Sequence, residues 1–204
     1  MSLLSPNKNR AFVHVPKTGG TSIETYLKTI GWYGLKRPPY NKIHHVGFEY
    51  IKRHCDTVIE AVAIVRNPVD YAVSYYRHWL RRQRLNVSKS SYSHATKHLR
   101  MMEQGFMTWF FDHAPRVERW RGILETQRGI IGNPDLPFDH TRVFDYKQRA
   151  DFWRYIIGHV PKVEPRLHRF DDVERVVLKG VDRKKVLDYY NIDMNTWAEQ
   201  FRWQ

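Results

Sequence analysis

The chain has 204 residues, 42% of them hydrophobic, a size and composition that suit one folded domain (1–204) and exclude intrinsic disorder. A formal charge of +13 favours an anionic partner, whether a nucleotide, an acidic glycan, nucleic acid or a membrane surface, without choosing among them. The lone cysteine, Cys55, excludes an internal disulfide, and its histidine neighbours His44, His45 and His54 lack the spaced Cys/His pairs of a zinc site, so no metal is expected.

Met1–Pro6 is too short and too soon polar for a signal peptide, and no apolar run is long enough to span a membrane. The expectation is a cytoplasmic protein with no membrane span. Ala11–Val15 is a short apolar run ending in Pro-Lys-Thr-Gly-Gly, which reads as a buried strand leading into a turn. Ile23, Tyr26, Leu27 and Ile30 keep helical spacing, so Thr21–Ile30 reads as a helix. Val58–Val65 is a second strand-like run rich in β-branched residues. Asn67 then suits a helix cap, Pro68 the first helical position and Asp70 the first turn, and the spacing of Val69, Val73, Tyr76 and Leu80 carries the helix to about Arg84.

Leu85–Lys97 is polar and serine-rich and reads as a loop. Helical patterns follow at Glu103–Asp112 and Val117–Gly129, a strand at Thr141–Phe144, and helices at Asp151–Ile157, Arg183–Tyr190 and Asn195–Arg202. Strands alternating with helices predict an α/β fold, with a central, mainly parallel sheet flanked by helices.

Two strand ends carry the chemistry. At the first, Lys17-Thr18-Gly19-Gly20-Thr21-Ser22 joins a strand to a helix. Two glycines let backbone N–H groups close on an anion, and the helix start adds donors and a favourable dipole. Thr21 and Ser22 add hydroxyls, and Lys17 a mobile positive charge. The lysine precedes the glycines, unlike the nucleoside-triphosphatase loop, where it follows them. An ordinary Gly-Gly turn with a helix cap is the plain alternative. At the second strand end, Arg66 lies near Lys17 if the two strands are neighbours, because ligands of open α/β sheets sit at the carboxyl ends of strands. Ser74 follows two turns into the next helix, and the pair offers a fork and a hydroxyl to a second phosphate. Taken singly, Arg66 reads equally as a surface ion-pair residue and Ser74 as a small helix residue.

Phe12–Ser22 resembles the 5′-phosphosulfate loop of sulfotransferases that use 3′-phosphoadenosine-5′-phosphosulfate (PAPS), closest to the carbohydrate group that includes the heparan sulfate 2-O- and 6-O-sulfotransferases. Val65–Tyr76 resembles the 3′-phosphate motif of the same family, down to the eight-residue interval from Arg66 to Ser74. Gln104–Phe110 is loosely similar to the segment after that family's acceptor loop. The adenine-side glycine motif of the cytosolic aryl and steroid enzymes is not evident, Lys179-Gly180 being a fragment at best.

The resemblance implies a P-loop-like nucleotide-binding sulfotransferase fold and in-line transfer of a sulfuryl group from PAPS to an acceptor hydroxyl, with no metal required. It implies that Lys17 neutralises charge on the departing phosphate oxygen, that the N–H groups of Thr18, Gly19, Gly20, Thr21 and Ser22 hold the 5′-phosphate, and that Arg66 and Ser74 hold the 3′-phosphate. A histidine between the two motifs suits the general base. Lys42–Phe48 resembles the histidine segment of the 2-O-sulfotransferases, making His45 the first choice and His44 the reserve, against a surface or structural role for either. Arg77, Arg81 and Arg84 fall on one helical face, a basic stripe for an anionic acceptor such as a glycan or simply a solvated face. Trp109, Trp120 and Trp153 read first as core residues and second as sugar-stacking platforms. The rival readings are an atypical phosphate-loop kinase, for which no magnesium-binding carboxylate stands out, and a basic nucleic-acid-binding protein, for which no familiar motif does.

Overall fold

A computed structural model describes residues 1–35, 46–84, 105–113, 127–132, 140–162 and 176–203. The amino-terminal segment is β1 (Leu3–Leu4), which turns back antiparallel onto β2 (Arg10–Val13), Leu3 opposite Phe12. The helix α1 (Gly20–Thr29) follows, and β3 (Tyr33–Gly34) pairs with the free side of β1. After α2 (Phe48–His54) comes β4 (Glu60–Val65), parallel to β2 with Val13 opposite Ala63. The chain continues through α3 (Pro68–Arg84), α4 (Phe106–Thr108) with a π-helical turn at Trp109–His113, and α5 (Gln127–Ile131). Next come β5 (His140–Asp145), parallel to β4 with Val65 opposite Asp145, a 3-10 turn at Tyr146–Gln148, α6 (Arg149–Ile157), α7 (Gly180–Tyr189) and α8 (Asn191–Phe201).

The sheet order is β3-β1-β2-β4-β5. The expected parallel core is present in β2, β4 and β5, and the fold is α/β. The antiparallel edge of β1 and β3 was not expected, since a two-residue strand leaves no periodicity to read. All six residues of β4 are buried, as a parallel strand covered on both faces requires. The predicted helices at 103–112, 151–157, 183–190 and 195–202 are present with shifted ends, the first of them changing to a π-helical turn. α2 was not anticipated, and residues 85–97 and most of 117–129 lie outside the described residues.

Two compact units are distinguished. The first comprises Met1–Asn67, Thr126–Leu167 and Glu199–Gln204; the second comprises Pro68–Glu125 and His168–Ala198. The core of the first joins sheet residues Leu3, Phe12, Val62 and Ile64 to Ile23 and Leu27 of α1 and to Phe152, Trp153 and Ile156 of α6. Phe152 packs against Phe12 at 5.7 Å and Phe144 at 5.9 Å between ring centroids. Burial of each such side chain stabilises the unit by about 1.5–3 kcal/mol. The second unit is centred on aromatic rings, with Tyr71 5.8 Å from Tyr190, and Tyr76 5.4 Å from Phe106 and 5.3 Å from Trp109. Burial pushes the Tyr71 and Tyr190 phenols well above their ordinary pKa, the neighbouring phenols adding to the effect, so both stay neutral.

A partly buried polar cluster supports the first turn of α1. Glu24 accepts hydrogen bonds from Lys28 Nζ at 2.5 Å and the Met1 amino group at 2.6 Å, and pairs with His14 Nδ1 at 3.4 Å. Burial alone pushes the Glu24 carboxyl up, but the hydrogen bonds from His14, Lys28 and the amino group outweigh it and hold the carboxyl far below its ordinary value of 4.5. A depressed carboxyl pKa stabilises the fold fully above the unfolded value and ceases to do so as pH falls through the folded one. Glu24→Gln is therefore expected to lower stability by about 1–2 kcal/mol at about pH 7, and the gap from wild type should narrow progressively as pH falls below about 5 in urea titrations.

Candidate anion-binding site

The parallel pairing of β2, β4 and β5 brings the residues after all three strands to one edge of the sheet. After β2 the chain passes Val15 and Pro16 and enters a loop in which Lys17 has φ 62° and Gly19 φ 77°. A non-glycine residue in this left-handed region is strained, of order 1–3 kcal/mol, so the surrounding fold must hold Lys17 there. Thr18 does so in part, since it is buried and its Oγ1 donates to Val15 O at 2.8 Å. That hydroxyl is turned inward, leaving Thr18 to serve an anion through its backbone.

Gly19 stands at the N-cap of α1 without a side-chain cap, and the helical ladder begins with Ser22 N–H and Ile23 N–H donating to Gly19 O at 3.1 and 3.3 Å. The N–H groups of Gly20 and Thr21 thus fall outside the helix's own ladder. Gly20 has no room for a side chain, because the His14 ring occupies the place of its Cβ. Ser22 is buried and Thr21 half-buried.

Arg66, the first residue after β4, does lie beside Lys17. Its Nη1 donates to Lys17 O at 3.4 Å, and its guanidinium carbon stands 4.9 Å from the centre of the Tyr146 ring. Its backbone is clamped by Gln127, which is fully buried: Arg66 N–H donates to Gln127 Oε1 at 2.7 Å, and Gln127 Nε2 donates to Arg66 O at 2.6 Å. The Arg66 Nε is buried without a hydrogen-bond partner among the described residues.

Sequence reasoning missed Gln127, Tyr146 and Arg149. Tyr146 and Arg149 follow the third parallel strand, and the strand-end rule that singled out Lys17 and Arg66 points to them once β5 is known to pair with β4. The Arg149 guanidinium occupies the place a Cβ would take at Gly19, and its carbon lies 5.7 Å from the Tyr146 ring centre. Burial lowers the Arg149 pKa from its ordinary value, and the Tyr146 phenol opposes that shift. Gln127 had no signal of its own, since its partners lie 61 residues away.

The other expected residues fall elsewhere. His44 and His45 lie outside the described residues, as do Trp120 and the Arg84 side chain. Ser74 is buried on α3, in the second unit, where Arg77 and Arg81 are half-buried and engaged with other groups of the protein. Trp109 and Trp153 are buried core residues. Gly180 begins α7 behind an extended Lys179. Cys55 is a free thiol whose pKa burial pushes up, with Asp56 adding to the effect, and His54 stacks on Tyr50 at 4.0 Å. Among the described residues no group of acidic, histidine or cysteine side chains could hold a metal, and no helix is long and apolar enough to cross a membrane.

Fold and site together define an α/β protein with a glycine loop between strand and helix, bordered by cations from the two neighbouring strand ends. Residues 44–126 match the family model described as a sulfotransferase domain. The matched stretch includes β4, Arg66 and α3; the Lys17 loop precedes it. No curated protein and no solved structure matches the chain.

Replacing Gln127 with Ala leaves the Arg66 N–H and C=O without their partner in a buried setting. We expect it to lower unfolding stability by about 2 kcal/mol, measured as a reduced urea midpoint at unchanged m-value.

Proposed function

We propose that the protein transfers a sulfuryl group from PAPS to an acceptor hydroxyl, on a carbohydrate. The family match supports sulfuryl transfer as the class of chemistry. The observation that carries the donor reading is the meeting of the Lys17–Ser22 loop with Arg66 at one edge of the sheet. The N–H groups of Gly20 and Thr21, which fall outside the helical ladder, suit a phosphate, and the Arg66 guanidinium beside Lys17 suits a further anionic oxygen.

In this reading the backbone N–H groups of Thr18 to Thr21 and the Ser22 hydroxyl bind the 5′-phosphate, the Ser22 N–H being taken up by Gly19 O, and Lys17 neutralises charge on its bridging oxygen. Arg66 and Ser74 are assigned the 3′-phosphate by the resemblance of Val65–Tyr76 to the 3′-phosphate motif of these enzymes. The donor supplies the sulfuryl group: its S–O bond to the phosphate breaks as a new S–O bond to the acceptor forms. His45, with His44 in reserve, takes the acceptor proton. Catalysis then rests on positioning and charge stabilisation, as in phosphoryl transfer, and no metal ligand is called on. Arg77, Arg81 and Arg84 of α3 are assigned to an anionic acceptor, in keeping with the charge of +13.

Calorimetry tests the donor. The expected result is binding of 3′-phosphoadenosine-5′-phosphate at least about tenfold tighter than AMP or ATP; equal affinities would remove PAPS from the reading. Lys17→Ala and Arg66→Ala should each reduce kcat/KM for sulfuryl transfer by about 100-fold. His45→Ala should abolish transfer while leaving bisphosphate affinity intact, and unaltered turnover would remove it as the base.

A further inference from the structure

We propose that Arg149 is an additional cation of the phosphate loop, contacting the phosphate or sulfonate oxygens of the anion held by Lys17–Ser22. The inference deepens the donor reading above and rests on it for the identity of that anion.

Three observations carry it. First, Arg149 lies against the loop itself. Its guanidinium fills the space that a side chain at Gly19 would need, and the Tyr146 Cε2 stands 3.1 Å from the same point. With φ 77° and no Cβ, Gly19 leaves its backbone open to a flat cation laid upon it, at the residue where the helical ladder of α1 begins.

Second, one aromatic ring serves two arginines. Arg66 and Arg149 stand 4.9 and 5.7 Å from the Tyr146 ring centre, both within cation–π range. Both guanidiniums thus lie beside one exposed ring, and burial disfavours the charged form of Arg149. An anion at the loop would favour the charged form of Arg149, and its planar fork suits tetrahedral oxygens.

Third, the turn that presents Arg149 is braced. Asp145 is buried and accepts from Lys147 N–H at 2.6 Å, while Asp145 N–H donates to Gln148 Oε1 at 3.1 Å, a reciprocal capping box just before Arg149. The Trp203 indole N–H donates to the other Asp145 oxygen. These bonds fix the turn of residues 145–148 that leads into Arg149, as a pre-organised site requires.

The test compares wild type, Arg149→Gln and Arg149→Lys by calorimetry with 3′-phosphoadenosine-5′-phosphate and with adenosine 3′-monophosphate, which lacks the 5′ group. Arg149→Gln is expected to weaken the bisphosphate by about tenfold and to leave the 3′-monophosphate within about twofold, with Arg149→Lys in between. Unchanged bisphosphate affinity overturns the proposal, and so does equal weakening of both nucleotides, which would mark a general effect on the fold. Should Arg149→Gln fail to fold, Arg149→Lys is read by the same criterion. If wild type shows no preference for the bisphosphate, the PAPS reading falls by itself. Inorganic pyrophosphate then decides the arginine: weaker binding by Arg149→Gln upholds it, equal binding overturns it.

Discussion

Parallel pairing of β2 with β4 carries the residue after each strand to the same edge of the sheet. Hydrogen-bonded strands lie about 4.8 Å apart, so Lys17 and Arg66, 49 residues apart in sequence, come within reach of one another. β5 extends the same geometry by one strand and brings Tyr146 and Arg149 to that edge. The register is enforced by burial. A slip of one residue in β4 would exchange its two faces, both of which pack in the interior.

Cations gathered at one edge need neutral supports, and the first unit supplies three kinds. An amide can donate and accept at once, so the single Gln127 side chain satisfies both backbone groups of Arg66. The Tyr146 ring offers its electron-rich face to two guanidiniums. The Thr18 hydroxyl holds the loop by bonding to Val15 O. None of these three supports carries a negative charge. Donors fixed before the ligand arrives need not reorganise when charge develops on it.

Much of this was legible in the chain. The apolar run before Lys17, the β-branched run before Arg66 and the Asn-Pro-Val-Asp helix start each announce their element through local chemistry, and each is present. Other parts carried no local signal. Leu3–Leu4 forms a strand because β2 lies beside it, and α2 and β3 likewise depend on their neighbours. Gln127 sits in a segment whose helical pattern says nothing of Arg66. Arg77 and Arg81 share a helical face by spacing, but spacing does not reveal that both are half-buried.

The sequence by itself determined the ingredients of the proposed anion site. Glycine content, the lysine before the glycines, the arginine at a strand end and the excess of positive charge are properties of residue types at short separations. Only the tertiary structure decided which cations share one loop. Arg149 reaches Gly19 across 130 residues, because β5 pairs with β4 and the capping box of Asp145 turns the chain back at that edge. Local preferences extend over a turn or two of chain, whereas the assembly of a charged site depends on strand order, which is set by burial of the whole core.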